Sequence, residues 1–84
     1  MNEVEFQKFR TLAEEGTSFT GSAAVVTRRG GIVRGFWVRL GNGFLGWLPL
    51  ENQHELRSSR VGQRLTVKVK TVEGTTVFLT RQGL

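Results

Sequence analysis

Apolar and polar residues alternate most regularly near the end of the chain. Leu65, Val67 and Val69 are separated by Arg64, Thr66, Lys68 and Lys70, the period of a half-buried β-strand. Thr76 to Arg81 alternates again, with Val77 and Leu79 directed inward and Thr76, Phe78 and Thr80 outward, and Glu73-Gly74-Thr75 predicts the tight turn between the two runs. Residues 3–15 follow a longer period. Phe6, Phe9 and Ala13, with Leu12 adjoining, recur at three- and four-residue spacing, which predicts an amphipathic helix whose stripe covers one open end or face of the sheet. Asn2 and Glu5 have the spacing of a capping box, and Gly16 is a natural stop. From Thr17 to Arg29, Phe19, Ala23, Val25 and Val26 stand among small polar residues, and Gly21 predicts a bend or bulge. A strand this long and this poor in bulky side chains has to curve strongly, as the first strand of a small barrel does. Residues 28–35 (Arg-Arg-Gly-Gly-Ile-Val-Arg-Gly) read as a mobile basic loop, without the lysine and Ser/Thr of a nucleotide-binding loop. Residues 50–62 are polar and lack steady periodicity, which suits a connection with one helical turn.

The central stretch, Gly35 to Pro49, holds both tryptophans. Two runs of aromatic and aliphatic residues flank Gly41-Asn42-Gly43, so the local expectation is a β-hairpin. Its register decides which way the indoles point, because a one-residue slip moves every side chain to the other face. With Asn42 and Gly43 alone as the loop, Val38 faces Trp47 and Trp47 joins the core. With all three residues in the loop and a bulge beside it, Trp37 lies across from Trp47, and Phe36, Val38, Leu40, Phe44 and Leu48 share the opposite face. The second register is preferred because it makes one face uniformly apolar. It leaves Trp37, Arg39 and Trp47 on the outer face, where two indoles do little for folding and form a platform on which bases can stack.

One helix followed by five short, glycine-punctuated strands predicts a mainly β protein: a five-stranded antiparallel barrel of the OB type preceded by a short N-terminal helix. An SH3-like barrel is the structural rival. At 84 residues the chain is one domain close to the lower size at which a core folds unaided, with residues 1–16 as the helix packed on the barrel and residues 17–84 as the barrel itself.

Composition narrows the function. There are no cysteines, one histidine (His54) and no aspartate, so a disulfide framework and a thiolate metal site are excluded and neither metal, cofactor nor enzymatic activity is expected. His54 reads as a solvated loop residue. No apolar run approaches a membrane span and the first residues lack the order of a signal peptide, so a cytoplasmic protein is expected, or an organellar one if it acts with an organellar ribosome. The formal charge is +5, divided unevenly: residues 1–16 carry −2 and residues 17–84 carry +7. A positive field on the strand-rich part favours polyanions, nucleic acid above all.

These residues resemble a known family. Gly21-Ser22-Ala23, Gly35-Phe36-Trp37-Val38-Arg39-Leu40, Gly46-Trp47-Leu48-Pro49, Val61 to Val69 and Val77-Phe78-Leu79-Thr80-Arg81 follow, in order, the pattern of the S-one RNA-binding domain. That domain is the OB-fold repeat of the large ribosomal small-subunit protein, also found in ribonucleases and translation factors. Phe9-x-x-Leu12 is similar to the segment that leads into repeats of the ribosomal protein. The resemblance implies RNA contacts at the residue before the Val of the second strand and the residue after the Gly of the third, which here are Trp37 and Trp47. Where the family commonly has a basic residue on the last strand this chain has Phe78. Where some members use a histidine it has Pro49, so nothing passes to His54. The Arg-rich segment before Gly35 and Thr80 in place of Ser depart from the pattern.

The function expected is non-catalytic binding of single-stranded RNA with little sequence specificity, in translation or ribosome association. Trp37, Trp47 and Phe78, the last if neither a loop nor the helix covers it, would stack on bases. Arg34, Arg39, Lys68 and Lys70 would contact phosphates, with Arg28 and Arg29 reaching in from their loop. The alternatives are an interaction module that docks on the ribosome or on a protein, and an accessory RNA-binding domain of a ribonuclease.

Overall fold

The structure, a computed structural model, describes residues 3–41, 43–50 and 60–83. Asn2 of the expected helix cap, Asn42, and most of the 50–62 connection with His54 lie outside them. The elements are α1 (Glu3–Glu15), β1 (Ser18–Arg29), β2 (Ile32–Gly41), β3 (Phe44–Pro49), β4 (Arg64–Glu73) and β5 (Thr76–Thr80). The strands form a closed barrel in the order β1-β2-β3-β5-β4, with β4 returning to β1. The β3–β5 pairing is parallel and the others are antiparallel. This is the topology of an OB fold rather than an SH3-like barrel.

Closure depends on the long first strand. Ser18–Ser22 pair with β4 and Ser22–Arg29 pair with β2, so β1 serves both sides of the barrel, and Gly21, buried, sits at the handover. A register shift between Ala23 and Val25 adds the bulge that turns the strand. Beyond it, Arg28 and Arg29 do not belong to a loop. They pair with Val33 and Ile32, and the connection contracts to Gly30-Gly31, whose φ values of 60° and 78° match the primed turns that follow strand twist. Two adjacent glycines make a two-residue hairpin turn here, where composition alone suggested a loop.

The inward residues alternate as expected in β2, β3, β4 and β5. Phe36, Val38, Leu48, Val67, Val77 and Leu79 are each less than 2% exposed, and Ala23, Val33, Leu65 and Val69 surround them. Thr80, expected outward, is buried; the chain turns immediately after it, with the Gln82 N–H donating to the Thr80 hydroxyl at 3.0 Å. Close by, the Arg81 guanidinium donates to the Thr66 carbonyl at 3.0 Å, tying the end of β5 to β4. The helix closes one end of the barrel: Phe6 is buried, and the Phe6 and Phe9 rings meet Phe44 edge-on at 6.3 and 5.7 Å. No helix among the described residues is long and apolar enough to cross a membrane.

Candidate nucleic-acid interface

The β2–β3 register sets Trp37 directly opposite Trp47, with Phe36 opposite Leu48 and Val38 opposite Gly46. The register shifts between Arg39 and Gly41, so the bulge falls at Leu40 and keeps the aliphatic residues on the inner face. The tryptophans are part of a longer line. Val25 of β1 is in register with Trp37, Phe78 of β5 with Trp47, and Thr71 of β4 with Phe78. One residue from each strand thus forms a row across the barrel, and its three central members are aromatic. Neighbouring strands lie about 4.8 Å apart, so the backbone beneath Trp37 and that beneath Phe78 are roughly 10 Å apart.

The two indoles touch, with ring centroids 5.2 Å apart and planes inclined at 49°, within the range of favourable aromatic pairs. Their contact leaves no room for a third ring between them, so they offer one joint surface. The position of Trp47 follows from a missing side chain. A Cβ on Gly35 would lie 2.5 Å from Cη2 and 2.7 Å from Cζ2 of Trp47, and 2.7 Å from the Leu48 carbonyl oxygen. The indole therefore lies over the bare backbone of Gly35. Trp37, Trp47 and Phe78 are half-buried. With Thr27 and Thr76 they line an open groove of about 360 Å³ that has no charged residue in its wall. Phe78 is thus part of the outer aromatic surface, covered by neither the helix nor a described loop.

The basic residues stand around this groove rather than in it. Arg28, Arg29 and Arg34 are exposed at the β1–β2 end, with Arg34 at a bulge beside Gly35. Arg39 is exposed two residues beyond Trp37, but it lines an adjacent groove with Ser22, Gly62 and Arg64. Lys70 is exposed at the β4 bulge next to Thr71, the partner of Phe78. Lys68 differs from the expectation of a fully exposed phosphate contact. It is half-buried, in register with Thr80, and its ammonium lies against Gly83, 2.9 Å from where a Cβ on that residue would be. Among the described residues none of these cations is ion-paired; the salt bridge seen is Arg10–Glu3 on α1, at 2.6 Å.

Sequence reading did not single out Thr27, Gly35 as the seat of Trp47, or Arg60. Arg60 borders a second shallow groove with Val25, Arg28 and Val61, and it is placed there by two backbone hydrogen bonds, Gly62 N–H to the Ala23 carbonyl (2.7 Å) and Ala23 N–H to the Gln63 carbonyl (2.8 Å). Thr76 was legible as an outward position, but its place beside the aromatics depends on the parallel β3–β5 pairing. No protein-family model matches the chain, and no curated protein matches it either.

Proposed function

We propose that this protein is a non-catalytic binder of single-stranded RNA, of the S-one type that its motifs resemble, acting in translation or on the ribosome. The observation that carries the reading is the cross-sheet row of Trp37, Trp47 and Phe78, solvent-accessible on the outer face of an OB barrel and flanked by unpaired arginines. Buried aromatics stabilise a core, whereas accessible ones in a row present faces on which successive bases stack, each worth about 1–3 kcal/mol. Arg28, Arg29, Arg34, Arg39 and Lys70 supply the surrounding positive field for phosphates. Stacking makes little distinction among bases, which is why low sequence specificity is expected.

Titration of tryptophan fluorescence with poly-U and poly-A at two salt concentrations tests this. Quenching is expected at low salt with both polymers and should weaken as salt rises. Trp37→Ala and Trp47→Ala should each lower affinity by about 1–3 kcal/mol, roughly 5- to 150-fold. No quenching at low salt would overturn the proposal; full affinity in both alanine variants would remove the aromatic row from it.

A further inference from the structure

The aromatic groove contains two polar side chains, and they differ from everything around it. Thr27 and Thr76 complete a wall otherwise made of Trp37, Trp47 and Phe78. Both threonines are half-buried, and neither hydroxyl is hydrogen-bonded to another described residue. Each hydroxyl opens on the groove with no intramolecular partner to give up, so a ligand seated there can bond to it without breaking a contact within the protein.

The register places the two threonines at opposite ends of the groove. Thr27 pairs with Gly35, which pairs with Pro49, two residues past Trp47 along β3. Thr76 precedes Phe78 by two residues on β5, which runs parallel to β3 with Trp47 beside Phe78, so it lies on the other side of the aromatic row. A planar group resting on the rings toward either end has one hydroxyl beside it. No charge lines the groove, so a phosphate gains nothing there and is drawn instead to the arginines outside. The ligand chemistry that fits is an uncharged heteroaromatic ring with hydrogen-bonding groups on its edge, which is a nucleobase.

We infer that Thr27 and Thr76 each hold the edge of a base stacked in this groove, one at either end. The inference rests on the RNA-binding reading above and adds polar base contacts to it. A hydroxyl both donates and accepts, so the contacts accommodate every base while rewarding the presence of one. They set the difference between a base and no base more than the difference between bases.

Valine is nearly isosteric with threonine and suits strands, so Thr27→Val and Thr76→Val remove the hydroxyls with little disturbance. Their binding is measured by fluorescence anisotropy with a labelled uridine hexanucleotide and with a hexamer of the same backbone that lacks bases. Each substitution should weaken the uridine oligomer about two- to ten-fold, the range expected for one hydrogen bond. Both should leave the weaker binding of the abasic oligomer unchanged, and Thr27→Ser and Thr76→Ser should restore binding. Unchanged or tighter binding of the uridine oligomer by the valine variants overturns the inference while leaving stacking intact. An equal loss with both oligomers also overturns it, because the threonines would then be acting on the fold. If the unsubstituted protein binds neither oligomer, the RNA-binding reading fails as well.

Discussion

Gly35 shows how much of the site depends on one absent methyl group. Its missing Cβ is the space occupied by the Trp47 ring, with the Leu48 carbonyl oxygen crowding the same position. Gly35→Ala must therefore move the indole, the backbone or both. Overpacking of this kind costs about 1–3 kcal/mol, which for a domain of this size lowers the melting temperature by roughly 4–8 °C per kcal/mol. A lowered melting point together with a shifted tryptophan emission maximum is expected. If both are unchanged in Gly35→Ala, Trp47 does not rest on that backbone. Phe78 presents the opposite case, since its exposure follows from its strand neighbours rather than from local space, and its role depends on lying beside Trp47.

Among the elements, α1 contributes to the barrel without contributing to the aromatic face. Its stripe meets Phe44 at the start of β3 through Phe6 and Phe9, at the end of the barrel where β2 passes into β3. Phe6 is 6% exposed, and truncation of such a ring to alanine typically costs about 3–5 kcal/mol. Small domains hold only about 5–15 kcal/mol in total. Phe6→Ala should therefore shift the urea midpoint far down while the protein that remains folded quenches with RNA as before. An RNA affinity lost in proportion to a surviving native signal would instead place the helix in the binding face. The β1–β2 hairpin acts differently. Its Gly30-Gly31 turn continues the pairing of both strands to their ends, with one bulge at Arg34, so Arg28, Arg29 and Arg34 are held on strands beside the groove.

On the scale of the whole molecule, charge is segregated as the fold is. The helix segment carries −2 and the barrel segment +7, so the positive charge lies in the part of the chain that also carries the aromatic row. For single strands, each phosphate neutralised adds about 0.7 to the magnitude of the slope of log K against log salt. Replacing Arg28, Arg29 and Arg34 together by glutamine should reduce that slope by about two units. Lys68→Gln should leave it nearly unchanged, because that ammonium is half-buried against Gly83. A slope insensitive to the three arginines, or one sensitive to Lys68, would contradict this placement of the field.

The helix, the central hairpin and the last two strands were legible in the sequence because they depend on local periodicity, whereas the hairpin at 28–35 was read as a loop because arginines and glycines interrupt its pattern. Leu65, Val67 and Val69 alternate with polar residues whatever lies around them, and the Phe6-Phe9-Ala13 spacing specifies a helical stripe. The outward direction of Trp37 and Trp47 was also legible, since only one hairpin register gives a uniformly apolar face. Other features required the closed barrel. Phe78 lies beside Trp47 through a parallel pairing between strands 31 positions apart in the chain, and no local pattern encodes such a pairing. Thr27 and Thr76 meet the same groove for that reason, and Lys68 and Thr80 are covered by residues that follow β5. Periodicity fixes which face of a strand a residue occupies; only closure of the barrel decides which residues from distant strands share that face.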